Sequence, residues 1–170
     1  GGATGTANPL TITMAGNTAI TATFTPVPGS LAVTPATGLS SSGLVGGPFT
    51  PASAAYTLQN TGNTTISWSA AATQAWVTVA PASGSLDPGA TATVTVAINS
   101  SAAALAAGNY SDSATFTNTT NGSGNATRSV SLAVATPLYT LTATAAPSAG
   151  GSVTVSPSQP TYAAGTQVTL

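Results

Sequence analysis

Alternation of apolar and hydroxyl side chains, with a period of two residues, is the feature of this sequence that most constrains its fold. From position 90 to 98 the chain reads ATATVTVAI, which places Val94 and Val96 on one side and Thr93 and Thr95 on the other. A period of two is that of a β-strand with one buried face. Threonine is β-branched and favours extended backbone, so it suits an outer face without charge.

The same alternation recurs at residues 20–24, 129–134 and 139–144, and turn-forming Gly, Asn, Asp and Pro residues separate the runs. The one helix-compatible stretch, residues 100–107, is short enough to be a single turn between strands. Short strands at this spacing predict an all-β, immunoglobulin-like β-sandwich.

Charged residues are almost absent, which excludes several functions. Arg128, Asp87 and Asp112 make up the 2% of the chain that is charged, where a typical soluble domain has roughly a quarter. One arginine cannot neutralise a phosphate track, so we expect no nucleic-acid binding. No apolar run approaches the roughly 20 residues of a membrane helix. A nearly uncharged surface without lysine predicts an extracellular or cell-surface protein that associates readily.

The groups that usually perform catalysis are also missing. The chain has no His and no Cys, which removes the common general base, thiol nucleophiles and zinc ligands. Asp87 lies in a Leu-Asp-Pro-Gly turn, and Asp112 would need several further oxygen ligands to hold calcium. We therefore predict that the protein is not an enzyme and has no cofactor or metal.

Asp112 and Arg128 raise the question of an ion pair. If each lies near the start of its own antiparallel strand, the two charges are at opposite ends of the sheet and do not pair within one domain. Two interpretations stay open: a salt bridge between neighbouring subunits, and two solvated charges at the rim.

Aromatic residues offer the candidate contacts for a carbohydrate, namely Trp76 and Tyr110. The alternative is structural: Trp68 and Trp76 belong to the core, and Tyr110 is a tyrosine corner whose hydroxyl bonds nearby backbone.

Three Asn-x-Ser/Thr sequences cluster on a loop that we expect to be exposed. They begin at Asn118, Asn121 and Asn125, which are candidates for glycosylation.

The middle of the chain carries a family resemblance. It reads YTLQNTG at 56–62, ISWS at 66–69, WVTVAPASG at 76–84 and LDPG at 86–89. These segments make residues 30–135 resemble the bacterial immunoglobulin-like repeats related to the BACON family. The resemblance implies a sandwich fold. Some members of that family bind carbohydrate or mucin, and many are spacers in long surface proteins.

The two ends of the chain carry a second resemblance. YTLTAT at 139–144, GGSVTVSP at 150–157 and YAAGTQVTL at 162–170 are similar to the first half of an internalin-type B repeat. GTANPLTITM at 5–14 and NTAITATF at 17–24 are similar to its second half. The halves stand in reverse order, and the family's aromatic middle segment is absent. The resemblance implies one period of a repeating structure, in which neighbouring copies complete a small β domain.

These observations divide the chain into five parts. We expect the second half of a B-repeat-like domain at 1–26, a linker at 27–29, the sandwich at 30–135, a hinge at 136–137 and the first half of a B-repeat-like domain at 138–170. The apolar residues expected to form the contact between copies are Ile12, Ile20, Phe24, Tyr139, Leu141, Val153, Val155, Val168 and Leu170.

The sequence thus predicts an extracellular structural module whose partners are copies of itself. The copies assemble head to tail, either as separate chains by β-strand complementation or as covalent tandem repeats, into a filament, stalk or surface layer. One alternative is a carbohydrate-binding or adhesive module of a bacterial surface protein. Another is that the chain is an excerpt trimmed from a larger protein, which is compatible with tandem repeats.

Overall fold

Strands follow one another with few interruptions through the middle of the chain. The computed structural model describes residues 11, 13, 16, 17, 19, 21, 23–146 and 150–170. The strands of the two main sheets are β1 Leu31–Thr34, β2 Leu39–Leu44, β3 Phe49–Thr50, β4 Ser53–Asn60, β5 Ile66–Ala71, β6 Val77–Ala80, β7 Ser83–Leu86, β8 Thr91–Ile98, β9 Gly108–Asn118 and β10 Ala126–Ala135. The turn predicted after residue 100 is a 3-10 helix, Ser100–Ala104, capped by the side chain of Asn99.

The ten strands form two sheets that pack face to face. Sheet A has four strands in the order β1-β4-β8-β6, and sheet B has six in the order β3-β2-β10-β9-β5-β7. Most neighbours are antiparallel, but β2 and β10 run parallel from the pair Leu39–Val130 to the pair Leu44–Ala135. This is an immunoglobulin-like β-sandwich, which confirms the predicted fold class.

The apolar faces of the strands meet between the two sheets. Val94 and Val96 of β8 are fully buried, as are Val130 and Leu132 of β10. The alternation in the sequence therefore predicted correctly which side chains point inward. Burial of apolar surface, at about 25 cal/mol per Å² removed from water, is the main force that holds the sheets together.

Hydroxyl and methyl side chains cover the outer faces. Thr91, Thr93 and Thr95 of β8 are exposed, and so are Ser129 and Ser131 of β10. The three charged residues of the chain lie either in a turn or on the inward-facing side of β9 and β10. The outer faces of the described sandwich consequently carry no charge.

The chain enters and leaves the sandwich at opposite ends. Leu31 N donates to Ser123 O at 3.0 Å, so β1 begins beside the loop that precedes β10. Strand β10 then runs for ten residues, about 33 Å at the usual rise. At its far end Ala135 O accepts from Val45 N at 2.9 Å. We call residues 27–30 the lead-in, and the end of sheet B around Ala135 the exit end.

A small sheet follows the sandwich. Strands β11 Leu138–Tyr139 and β12 Tyr162–Ala163 pair antiparallel, and two backbone hydrogen bonds of 2.8 and 2.9 Å link Ser156 and Thr169. The alternation predicted a strand over 139–144, but the ladder ends at Tyr139 because β12 offers only two paired residues. Among the described residues, no helix has the length and apolar character needed to cross a membrane.

Candidate functional site

Large apolar side chains are exposed mainly outside the sandwich. The exposed ones among the described residues are Phe24, Val27, Leu44, Val45, Leu138, Tyr139, Leu141, Val153 and Leu170. Two of them lie at the exit end of the sandwich, and the others precede β1 or follow β10. Grouped exposed apolar side chains commonly mark an interaction surface.

A groove of about 520 Å³ lies on the small C-terminal sheet. Tyr162 forms its floor and is only 7% exposed, whereas Leu170 at its rim is 68% exposed. The floor is fixed locally, since the Tyr162 hydroxyl donates to Pro157 O at 2.8 Å and accepts from Gln159 N at 3.2 Å. The groove therefore has a firm floor and an apolar rim that faces solvent.

The backbone beside the groove is sparsely paired. Strands β11 and β12 share two residue pairs, and Ala164 N donates to Pro137 O at 3.3 Å. Residues 140–145 follow β11 without belonging to a strand of the described structure. A segment whose backbone is not paired within a sheet can accept a further strand through its N–H and C=O groups.

Four of the assembly residues predicted from the sequence meet in this groove. They are Tyr139, Leu141, Val168 and Leu170. The sequence signal that identified them was the apolar half of each alternating run.

The other predicted assembly residues lie elsewhere. Val153 is exposed and Val155 is half-buried, but neither lines the groove. Phe24 is 86% exposed in the segment before the lead-in. Ile12 and Ile20 lie outside the described residues.

The lead-in is bonded to the sandwich along its length. Gly29 N donates to Thr64 Oγ1 at 2.8 Å, and Gly29 O accepts from Asn121 Nδ2 at 2.9 Å. The next residue, Ser30, donates its N–H to Asn60 Oδ1 at 3.3 Å. Residues 27–29, which the sequence presents as a linker, are therefore held against the sandwich.

Two buried asparagines organise this end of the molecule. Asn60 Nδ2 donates to Thr64 O at 2.8 Å and to Leu86 O at 3.0 Å. Asn118 is 1% exposed, and its Nδ2 donates to Ser123 O at 3.0 Å. Buried amides need such partners, because an unpaired polar group in the core costs about 1–3 kcal/mol.

Asn118, one of the three glycosylation candidates, is buried and not exposed as expected. Its amide nitrogen is committed inside the folded sandwich, so it is not available for a glycan there. Asn121 and Asn125 lie in the exposed loop, as predicted, but both amides are hydrogen-bonded. Glycosylation at these two positions stays a prediction.

Asp112 holds the segment in which the chain leaves sheet B for sheet A. Its carboxylate accepts from Thr73 Oγ1 at 2.6 Å and from Gln74 N at 2.9 Å. Burial raises the pKa of Asp112, but the hydrogen bonds from Thr73, Gln74 and Ser113 outweigh it, and the pKa lies below its ordinary value. Asp112 thus serves as an acceptor for local backbone.

Arg128 holds the opposite crossing, between β1 and β2. Its Nε donates to Pro35 O at 2.7 Å, and its Nη2 donates to Val33 O. The register places Asp112 opposite Val130, two residues from Arg128. The expectation that the two charges lie at opposite ends of the sheet is therefore wrong, because Asp112 lies well inside β9. An ion pair between copies would have to replace these local hydrogen bonds.

The aromatic residues are used in packing. Trp76 is 5% exposed and meets Tyr110 edge to face, with ring centroids 6.5 Å apart. The Tyr110 hydroxyl donates to Ala106 O at 2.9 Å, which is the tyrosine corner. Trp68 is also buried. Burial removes the Trp76 ring from a carbohydrate contact, whereas Tyr110 is half-buried and a contact there stays a prediction.

Sequence comparison supplies the family. The profile of the viral BACON domain matches residues 30–135, more than half of the chain. The protein is an immunoglobulin-like sandwich of this class, and it belongs to the viral BACON domain family. None of the curated proteins matches the chain in sequence. The similarity of residues 1–26 and 138–170 to internalin-type repeats stays a prediction.

Comparison with solved structures finds similarities at low sequence identity. The PapD-like domain of human CEP192 has 12% identity and a TM-score of 0.47, over 72% of this chain and 97% of that one. The periplasmic chaperone SfaE has 7% identity and a TM-score of 0.45, over 62% of this chain. The E. coli chaperone DraB has 11% identity and a TM-score of 0.43, over 64% of this chain. The chain spans 57% and 56% of the lengths of these two chaperones.

Sequence reasoning missed several residues that shape these surfaces. Tyr162 is the groove floor, and Asn60 and Asn118 fix the lead-in. A polar residue at an inward position of an alternating run is the signal that could have found Asn118. Its partner Gly29 is 89 positions away, so the sequence pattern alone does not name it.

Proposed function

We propose that this chain is a non-enzymatic structural module that joins copies of itself end to end, in a filament, stalk or surface layer outside the cell. The observation that carries the proposal is the placement of exposed apolar side chains. They lie before β1, after β10 and at the exit end, while the outer faces are covered by hydroxyl groups. The lead-in and the exit end lie at opposite ends of the sandwich, which suits a linear array.

The occupant that we propose for the groove is the segment 10–24 of a neighbouring copy. In the sequence this segment carries Ile12, Ile20 and Phe24 at alternating apolar positions, and neither it nor residues 138–170 contains a charge. Apolar alternation in one segment, and an apolar groove beside sparsely paired backbone to receive it, suit β-strand addition. A head-to-tail contact of this kind does not close on itself and builds a chain of copies.

The same contact fits two kinds of array, which differ in whether the copies are covalently joined. In one the copies are separate chains, and in the other they are repeats of one long polypeptide. The mass of native material under full denaturation separates them. A mass near 16.1 kDa means separate chains, and a much larger mass means tandem repeats.

Sedimentation velocity over a concentration series tests the contact itself. We expect the wild-type chain to form growing oligomers, and Leu141→Asp to remain mostly monomeric because a charge in the groove opposes burial. Thr93→Asp adds the same charge to the exposed outer face of β8 and is the matched control, expected to behave like the wild type. A wild-type chain that stays monomeric, or a Leu141→Asp chain that assembles normally, would refute the proposal.

A further inference from the structure

The parallel pair β2–β10 joins the two routes by which tension would reach the sandwich. The chain passes from the lead-in through β1 into β2 at Leu39, and it leaves through β10 at Ala135. Leu39 is paired at the lead-in end and Ala135 at the exit end. Pulling on both sides of the sandwich therefore draws β2 and β10 past each other along their length.

The direction of the hydrogen bonds, relative to the applied force, decides how much force is needed to separate such a pair of strands. Bonds of a ladder run across the strands, so a force along the strands loads all of them together. A force that parts two strands at one end loads the bonds one after another. Six residue pairs, from Leu39–Val130 to Leu44–Ala135, share the load in the first case.

Neighbouring contacts fasten the start of this pair. The hydroxyl of Tyr56, a fully buried core residue, donates to Thr37 O at 3.2 Å, and Arg128 of β10 donates to Pro35 O at 2.7 Å. A Cβ at Gly38 would overlap Ser129 O, so β2 begins flush against β10. Residues 35–38, through which tension would reach β2, are thus bonded to β10 and to the core.

We infer that this sandwich is a force-bearing element and that the parallel pair β2–β10 is its mechanical clamp. The inference goes beyond the proposed function, since it depends on strand geometry inside one sandwich and holds whether or not copies associate. A stalk or filament under flow or traction is the setting in which such a clamp acts.

Single-molecule pulling on the full chain in two geometries tests the clamp. In the first, handles at the two chain ends shear β2 against β10. In the second, one handle is at the C-terminus and the other at Leu44→Cys, a unique thiol because the chain has no cysteine; Leu44 pairs with Ala135, so this geometry parts the pair from its exit end. We expect a severalfold higher unfolding force in the first geometry at equal loading rate. Equal forces would overturn the inference.

A substitution that removes one hydrogen bond next to the β2–β10 pair tests whether such bonds carry the load. Val45→Pro removes the N–H that donates to Ala135 O and is expected to lower the unfolding force in the end-to-end geometry. Thr65→Val is the control, because it removes the bond from Thr65 Oγ1 to Asp87, a contact that involves neither β2 nor β10. A Val45→Pro chain that unfolds at the wild-type force, or a Thr65→Val chain that weakens as much, would contradict the clamp.

Discussion

At the residue scale, each charged side chain fastens a turn or a crossing of its own sandwich. Asp112 accepts from residues 73–74, where the chain leaves sheet B, and Arg128 donates to carbonyls of the crossing between β1 and β2. Asp87 accepts from Thr65 Oγ1 at 2.8 Å in a turn. Charge in this protein therefore serves local structure, and the outer surface is left to neutral hydroxyl groups.

The pKa of Asp112 gives this role a pH dependence. Because its pKa is lower in the folded chain, the unfolded chain binds the proton more readily, and the stabilisation from the carboxylate is lost as pH falls through the acid range. We predict that the free energy of unfolding falls between about pH 5 and pH 2, and that Asp112→Asn shows a smaller fall. Urea unfolding across this range measures both slopes. Identical slopes in the two proteins would show that Asp112 does not carry the effect.

The sequence predicted inward side chains well and polar partners poorly. Val94, Val96 and Leu132 follow from alternation alone, because a period of two fixes the face of each residue in a strand. Asn118 does not follow, because its environment is built by Gly29 and by loop residues that only the folded chain brings together.

At the scale of elements, the sandwich closes an edge that it would otherwise expose. Strand β1 is at the edge of sheet A, and Leu31 N bonds Ser123 O of the loop before β10. Further along β1, Arg128 Nη2 donates a hydrogen bond to Val33 O. Free strand edges invite pairing with other chains, and these contacts cover part of the β1 edge.

Gly124 tests the contact between this loop and β1. It has φ of +78°, and an added Cβ would overlap Leu31 O, whereas Gly122 has φ of +76° and its added Cβ would meet only Asn125 Nδ2, at 3.9 Å. Both alanine variants strain the backbone by about 1–2 kcal/mol, and we predict a clearly larger loss for Gly124→Ala. Thermal and urea unfolding of the two variants measure the difference. Equal losses would mean that the loop does not need to lie against β1.

The small C-terminal sheet is where sequence prediction was least complete. Alternation marked residues 139–144 as a strand, yet only Leu138–Tyr139 pairs with β12. A strand forms only where a partner backbone is present, and a local pattern does not specify that partner. The four groove residues followed from the pattern, but the buried floor at Tyr162 did not.

At the scale of the whole molecule, the arrangement is linear. The lead-in is tied to one end of the sandwich and the chain leaves at the other. Apolar side chains are exposed before and after this body, and its outer faces are uncharged. A sandwich with exposed apolar side chains before its entry and after its exit suits the end-to-end array proposed above.

Mixed disulfide formation between two single-cysteine chains tests that array most directly. One chain carries Phe24→Cys in the segment before the lead-in, and the other carries Leu170→Cys at the groove; both positions are exposed. We predict that the mixed pair cross-links efficiently and that a chain with both substitutions gives a ladder of covalent oligomers. A partner with Thr93→Cys on the outer face of β8 is the control. Equal cross-linking of Phe24→Cys to Leu170→Cys and to Thr93→Cys would contradict head-to-tail assembly.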